Sequence, residues 1–154
     1  GFNYRMSELH AAIGVQQMKK LPIFLHKRRE NFNHLEAKLK KLNDVTILPQ
    51  LFDERFNSSH YCLGMLLGEV IADKRSIIME MLSNKDVGCS IYYPQPVPRM
   101  TYYRLKYGYS EKKFKNAADI SDRIIALPVG PHLGISDMDY IANSLKEIWG
   151  EINV

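Results

Sequence analysis

The sequence predicts an α+β domain with a small, mainly antiparallel sheet and helices packed against it. Several segments repeat apolar residues at the three- and four-residue spacing of an amphipathic helix, and only a few short segments have the character of strands. These segments do not alternate strictly along the chain, as the units of a parallel β/α sheet would. At 154 residues the chain has the usual length of one domain. We therefore expect residues 1–154 to form a single domain.

The composition is that of a globular protein, with 45% hydrophobic and 25% charged residues. No apolar run approaches the roughly 20 residues that a membrane helix needs, and no signal peptide is visible. Cys62 and Cys89 fall in strand-like segments without the spacing of metal ligands, which favours buried free thiols in a reducing compartment. We expect a cytoplasmic protein that does not enter a membrane.

Positive charge is concentrated in residues 19–41, which hold eight Lys or Arg residues against two Glu. Such a segment could contact nucleic acid, but no recognised binding motif accompanies it. The segment also carries apolar residues at helical spacing, and most of its basic residues lie off that stripe. The stripe consists of Leu25, Phe32, Leu35, Leu39 and Leu42. We interpret the charge as the solvated face of a helix and expect no nucleic-acid partner.

The chain begins with a polar segment and the capped start of a helix. Ser7 can accept a backbone N–H bond, which predicts a helix over residues 7–20, and its apolar middle predicts burial. Pro22 suits the first turn of a second helix over residues 22–42, so the two would form a hairpin or a bent pair. Asn3 and Arg5, just before the cap, could contact an anionic ligand such as a phosphate. A turn at Asn3 and a surface ion pair at Arg5 are the alternative.

The middle of the chain predicts strands over residues 45–48 and 60–71, the second alternating large and small side chains. Asp73 is predicted to cap the next helix, and Gly88 is predicted to close the turn after that helix. The core stripe of the helix comprises Ile77, Ile78, Met81 and Leu82. Residues 89–93 predict another strand. The proline-rich residues 94–98 lack several N–H donors, so we expect them to run along an edge or over the surface.

Three further helices and one extended segment complete the prediction. A short helix ends at Gly108, and a helix over residues 111–125 packs through Phe114, Ala117, Ala118, Ile120, Ile124 and Ile125. Residues 127–131 are extended. Ser136 caps the last helix, with Asp139 at the capping-box distance. The core stripe of that helix comprises Met138, Ile141, Ala142, Leu145, Ile148 and Trp149.

Few residues indicate chemistry. The five histidines show no metal-ligand spacing and the glycines no phosphate-loop spacing, so we expect no metal site. A group of tyrosines could stack on a sugar or a base or could serve as amphipathic packing, and the first interpretation is favoured only for Tyr92 and Tyr93. The whole group comprises Tyr92, Tyr93, Tyr102, Tyr103, Tyr107 and Tyr109.

Three stretches carry a resemblance to a known family. They are G-F-N-Y-R-M-S-E-L-H-A-A-I-G-V-Q-Q-M-K-K-L at residues 1–21, which a Lys/Arg-rich helix follows, S-I-Y-Y-P at 90–94 and I-A-L-P-V-G-P at 125–131. In this order they resemble the C-terminal part of the DegT/DnrJ/StrS-type sugar aminotransferases. Those fold type I enzymes use pyridoxal phosphate (PLP) to move an amino group, usually from glutamate, to a nucleotide-linked keto sugar. The resemblance implies the small domain of such an enzyme.

The resemblance also implies roles for particular residues. In the dimeric family Asn3 would reach the PLP phosphate of the partner subunit, with Tyr4 and Arg5 near the same interface and the substrate. Tyr92 occupies a position that is often His in the family, and Tyr93 follows it beside the substrate. A phenol can hydrogen-bond a sugar hydroxyl or phosphate, but a reference pKa near 10 makes it a poor proton carrier.

The family's large domain, which supplies the lysine that binds PLP covalently, precedes the point where this chain begins. We therefore expect no catalytic residue here, no covalent PLP and no activity of this chain alone. Without the large domain and the partner subunit, apolar residues in the first 20 positions would be exposed to water. We therefore expect the isolated chain to self-associate through this segment, or the segment to fray. The competing hypothesis is a binding or assembly module that retained the small domain without catalysis.

Overall fold

Five α-helices and a three-stranded antiparallel sheet make up the part of the chain that the computed structural model describes, residues 4–49, 55–110 and 113–152. One hydrophobic core lies between the sheet and the helices α1 (Glu8–Leu39), α2 (Arg75–Asn84) and α5 (Ile135–Ile152). The predicted α+β class, with a small antiparallel sheet and packed helices, is confirmed.

The sheet consists of β1 (Val45–Ile47), β2 (Cys62–Leu67) and β3 (Ile124–Pro128), with β2 in the centre. Both pairs are antiparallel, and Met65 aligns with Ile47 on one side and with Ile125 on the other. The alternation predicted for β2 is observed, since Leu63, Met65 and Leu67 are fully buried and the residues between them are only partly buried. The strand is shorter than predicted, because a turn at residues 69–71 ends it.

Helix α1 corrects the prediction of two helices, because it continues through Pro22. Proline removes the hydrogen bond to the carbonyl group of Met18, and the exposure of this segment leaves that carbonyl able to bond water. The cap by Ser7 is confirmed, since its Oγ accepts the N–H of His10 at 3.3 Å. The predicted burial of residues 7–20 is wrong, because Ala11 alone among them is even partly covered. We call the exposed residues 8–24 the α1 arm.

The second half of α1 matches its predicted stripe. Phe32, Leu35 and Leu39 are buried in the core, while Lys27 and Lys38 are exposed. This arrangement confirms an amphipathic helix whose basic residues face solvent.

Helix α2 is preceded by a 3-10 turn, Ala72–Lys74, and Asp73 does not cap it. Ile78 and Leu82 are buried as predicted, but Ile77 is 53% exposed. The turn after the helix uses Asp86, with φ of 56°, as its left-handed residue, and Gly88 does not have a positive φ. A carboxylate-bearing side chain tolerates that conformation better than most residues, which explains how Asp86 replaces a glycine there.

The predicted strand at residues 89–93 is reduced to one bridge, between Ser90 and Ala126 on the free edge of β3. The N–H of Ser90 donates to the carbonyl of Ala126 at 3.1 Å, and the return bond measures 2.7 Å. Pairing does not continue, because the chain bends at Tyr92 and leaves the edge of β3 toward the proline-rich residues 94–98.

Two more helices lie between this bridge and β3. Helix α3 (Thr101–Tyr107) ends at Gly108, whose φ is 61°, as predicted. Helix α4 (Lys115–Arg123) is shorter than predicted, because Ile124 and Ile125 belong to β3. β-Branched side chains favour strands, and a short apolar run fits either element until its partner is known. Part of the predicted helix, residues 111–112, lies outside the described residues.

Helix α5 buries the whole stripe predicted for it. Its N-terminal contact differs from the prediction, since the carboxylate of Asp137 accepts the N–H of Gly134 at 2.8 Å. Asp139 instead contacts His34 and Lys38 on α1. Trp149 Nε1 donates to the carbonyl of Asn43 at 2.9 Å and so ties the C-terminal part of α5 to the turn after α1.

Candidate functional site

Tyr92 and Tyr93 lie where the chain leaves the edge of β3, directly after the bridge at Ser90. The ring of Tyr92 has its centroid 5.8 Å from that of Tyr93 and 6.0 Å from that of Tyr61, which immediately precedes β2. Tyr92 is 38% exposed and Tyr93 is 74% exposed. The structure therefore brings these two predicted site residues together, and it adds Tyr61 to them.

An apolar cavity of about 500 Å³ lies on one side of Tyr92. Its wall consists of Tyr92, Tyr93, the proline-rich connector at Pro96 and Val97, and helix α4 at Ile120. The buried hydroxyl of Ser121 on α4 donates to the carbonyl of Tyr93. This bond fixes the connector against α4 and so holds the cavity open beside the two tyrosines.

A smaller, more polar cavity of about 230 Å³ lies on the other side of Tyr92. Its polar lining comprises Arg28 from α1, Tyr61, Ser90, Tyr92 and His132. The Cζ atom of Arg28 lies 5.3 Å from the ring centroid of Tyr61, a distance at which the guanidinium is attracted by the ring face. We call these two spaces the apolar cavity and the polar cavity, and Tyr92 separates them.

The loop that carries His132 is held by α1 and by a close packing contact. The buried Asn31 amide donates to the carbonyls of Gly130 and Leu133 at 3.0 and 3.1 Å. A Cβ atom at Gly130 would lie 2.5 Å from Cε1 of His132, so the ring occupies space that any other residue type would fill. Because Asn31 follows Arg28 by about one turn, α1 positions two sides of the polar cavity.

The pKa of Tyr92 is raised, chiefly by its hydrogen bond with Tyr61, and a hydrogen bond with Ser90 acts in the opposite direction. Tyr92 is therefore protonated at neutral pH and can donate or accept a hydrogen bond, but it is a poor base. Cys62 and Cys89, which also line the polar cavity, are free, and burial raises the pKa of each thiol.

Tyr4 and Arg5 lie far from these cavities. Tyr4 is 87% exposed and Arg5 is exposed, and both precede the start of the α1 arm. Helix α1 places Glu8 about 30 Å from Arg28, at about 1.5 Å per residue. The structure therefore does not bring Tyr4 and Arg5 together with Tyr92 and Tyr93 within one chain. Asn3 lies outside the described residues.

The sequence did not single out Arg28, Tyr61, Ser90 or His132. Arg28 is one of several basic residues on α1, and nothing local distinguishes it from Lys27. Its position in the helix does distinguish Arg28 as a candidate site residue. It lies about one turn before the first buried residues of α1 and therefore near the edge of the core.

The described residues do not fit a covalent PLP site. No described lysine lines either cavity. Lys74 donates to the carbonyl of Ile152 at 2.6 Å, and Lys85 pairs with Glu147 at 2.7 Å, which raises the pKa of its ammonium group. A nucleophilic lysine requires the opposite, a lowered pKa inside a cavity.

Metal sites and membrane-spanning helices are both absent from the part of the chain that the structure describes. It contains no group of three or more His, Cys, Asp or Glu residues placed to hold a metal ion. None of its helices combines the length and the hydrophobicity that crossing a bilayer requires.

The fold is one found in PLP-dependent aminotransferases. The chain superposes on Helicobacter pylori PseC, an aminotransferase involved in the biosynthesis of pseudoaminic acid, with a TM-score of 0.86 and 25% identity over 99% of this chain and 40% of that one. It also superposes on DesI, determined in the presence of its TDP-sugar product, with a TM-score of 0.81 and 23% identity over 97% of this chain and 37% of that one.

The sequence profile of the DegT/DnrJ/EryC1/StrS aminotransferase family matches residues 1–146, and the chain belongs to this family. It is 26% identical, over 96% of its length, to a UDP-4-amino-4,6-dideoxy-N-acetyl-β-L-altrosamine transaminase of Campylobacter jejuni. It is 27% identical, over 92% of its length, to a dTDP-4-dehydro-2,3,6-trideoxy-D-glucose 4-aminotransferase of Saccharopolyspora spinosa. The chain spans only 38% and 34% of these two relatives, respectively.

Proposed function

We propose that this chain is the C-terminal, small-domain part of a PLP-dependent nucleotide-sugar aminotransferase and that residues 1–154 form one domain. The observation that carries the proposal is the family match over residues 1–146, together with relatives named as transaminases of UDP- and dTDP-linked sugars. The cavities on both sides of Tyr92 supply a place for such a ligand. The free thiols of Cys62 and Cys89 are compatible with the cytoplasm.

In this proposal Tyr92 and Tyr93 contact the nucleotide sugar. Both side chains are exposed, so their phenols can hydrogen-bond a sugar hydroxyl or a phosphate, and their rings can stack on a planar group. Tyr92 orients the substrate and does not carry protons, since its pKa is raised.

The segment that precedes the α1 arm serves the second active site of a homodimer. Asn3 would bind the phosphate of PLP in the partner subunit, with Tyr4 and Arg5 beside it. The distance of about 30 Å along α1 supports this division, because it carries these residues away from the cavities of their own chain. PLP itself would supply the electron sink for amino-group transfer.

Catalysis then needs a lysine that the described residues do not provide at either cavity. We expect the purified chain to be inactive in transferring an amino group from glutamate to a UDP- or dTDP-linked keto sugar. Incubation with PLP, borohydride reduction and peptide mass spectrometry should show no single lysine labelled stoichiometrically. Such labelling, abolished by replacing that one lysine, would overturn the proposed inactivity.

A binding or assembly module without catalysis is the competing function. It shares the fold, so the two differ in whether the gene encodes a large domain upstream of Gly1. The reading frame before Gly1 provides the direct test, because an upstream segment with the family's PLP lysine supports the aminotransferase and its absence supports the module.

A further inference from the structure

Arg28 is a half-buried cation without a carboxylate partner among the described residues. Arg99 and Arg123 pair with Asp122 and Asp119, respectively, whereas Arg28 lies over the ring of Tyr61. A guanidinium carries five N–H donors, and an aromatic face leaves most of them available. Arg28 therefore presents an unmatched positive charge and a planar set of donors at the wall of the polar cavity.

The rest of the polar lining adds donors to this charge. The hydroxyls of Tyr61, Ser90 and Tyr92 and the ring of His132 surround the space, and its described lining contains no Asp or Glu. Ser90 is exposed, and its two backbone bonds with Ala126 anchor its main chain at the sheet edge beside the cavity. A cavity lined by one permanent cation and several hydroxyls matches an anion with many acceptor atoms.

We propose that the polar cavity is a phosphate-binding subsite in which Arg28 supplies the charge, and that it receives the diphosphate of the nucleotide sugar. The identity of this ligand rests on the proposed function, while the phosphate chemistry rests on the cavity. Its volume of about 230 Å³ equals that of about eight liquid waters, enough for a diphosphate.

The neighbouring apolar cavity supports a ligand of this shape. Tyr92 is shared by both cavities, so a molecule with its charged part at Arg28 can lay an uncharged ring along Tyr92 and the connector. The carboxylate of an amino-acid donor fits less well. Its two oxygens would occupy the fork of Arg28 and leave the hydroxyls of Ser90 and Tyr92 without a ligand partner.

Calorimetric titration of the chain with inorganic pyrophosphate tests the subsite directly. We expect Arg28→Gln to weaken binding by about 10-fold or more, since a charge-assisted hydrogen bond contributes about 1.5–3 kcal/mol. Lys27→Gln is the matched control, because it removes the same charge from an exposed neighbour that does not line the cavity. We expect that control to change binding by less than about twofold.

Replacing Arg28 also removes its contact with the ring of Tyr61, so a second variant is needed that tests contact with the ligand while leaving Arg28 in place. Ser90→Ala removes one hydroxyl together with its hydrogen bond to Tyr92 and leaves Arg28 and the backbone bridge unchanged, and we expect pyrophosphate binding to weaken about 3- to 10-fold. Equal losses in Arg28→Gln and Lys27→Gln would overturn the proposal, as would no binding of pyrophosphate by the unmodified chain below about 10 mM. Glutamate that competes with pyrophosphate and depends equally on Arg28 would assign the cavity to a carboxylate.

Nucleotide sugars distinguish this proposal from the proposed function. If UDP- and dTDP-sugars bind the unmodified chain and Arg28→Gln equally well, the subsite is wrong and the proposed substrate class stands. If pyrophosphate binding depends on Arg28 but neither sugar nucleotide binds more tightly than pyrophosphate, the subsite stands and the proposed substrate class fails.

Discussion

The ring nitrogen Nε2 of His34 lies 2.7 Å from Oδ1 of Asp139, a contact that joins α1 to α5. Lys38, about one turn further along α1, reaches the same oxygen at 3.0 Å. The hydrogen bond from His34, followed by that from Lys38, holds the pKa of Asp139 below its ordinary value. The ionised carboxylate is therefore the form that the folded state favours.

This shift predicts acid sensitivity. A carboxyl with a lowered folded pKa stabilises the protein above its unfolded pKa, near 3.8, and the stabilisation is lost as the pH falls through the folded value. Asp139→Asn should therefore show a smaller drop in melting temperature than the unmodified chain between about pH 5 and pH 3. Asp73→Asn, at an exposed position, is the control. Identical pH profiles for Asp139→Asn and the unmodified chain would contradict the assignment.

The bond from Trp149 to the carbonyl of Asn43 predicts a loss of stability. Trp149 is 5% exposed, so Trp149→Phe removes a buried donor and leaves some space unfilled. We expect the free energy of unfolding to fall by about 1–3 kcal/mol. Tyr140→Phe removes the bond from an exposed hydroxyl to the carbonyl of Lys85 and should cost less than about 0.5 kcal/mol. Urea titrations of both variants give the comparison, and equal costs would refute the role of burial.

The close packing of Gly130 against the ring of His132 predicts that a side chain at position 130 would displace that ring in the polar cavity. In Gly130→Ala the new methyl group would overlap the ring of His132, which is exposed and can rotate away. We expect the His132 ring resonances to shift in NMR spectra, with a change in unfolding free energy of less than about 1 kcal/mol. Gly88→Ala, on the rim of the same cavity, has open space around its Cβ position and should leave those resonances unchanged. Unmoved His132 resonances in Gly130→Ala would show that the ring lies elsewhere.

The α1 arm predicts association or fraying of the isolated chain. Leu9, Ile13 and Met18 are 79%, 60% and 65% exposed. Apolar surface in water costs roughly 25 cal/mol per Å², so covering a few hundred Å² would contribute several kcal/mol. We expect concentration-dependent sedimentation that Leu9→Lys with Ile13→Lys abolishes, or else rapid hydrogen exchange in residues 8–15. A concentration-independent monomer with strong protection of those residues would exclude both results.

Sequence alone predicted the elements whose signals are local. The stripe of α5 and the stop at Gly108 depend on residues within one or two turns, so periodicity and a single glycine were sufficient. The strand assignment of Ile125 was missed because it depends on pairing with Met65, far away in the sequence. Continuity of α1 through Pro22 was missed because the proline rule describes a cost and not a prohibition.

In the candidate site, too, residues with a local sequence signal were predicted and residues brought together by packing were not. Tyr92 and Tyr93 stood out through a short stretch that resembles a family, and the structure places them at a cavity wall. Arg28 and Tyr61 approach each other only because α1 packs beside β2 in the folded chain. No spacing of residues in the sequence predicts their contact.

Helix α1 acts as a rod fixed at one end. The core holds residues between Asn31 and Leu39, and about 30 Å of helix separates Arg28 from Glu8. A tilt of roughly 10° at the fixed end would move Glu8 by about 5 Å, and one residue inserted between them would turn the arm by about 100° about its axis. The number of residues between Ser7 and Arg28 thus sets both the reach and the direction of the arm. Insertions or deletions there should redirect the arm while leaving the cavities around Tyr92 intact.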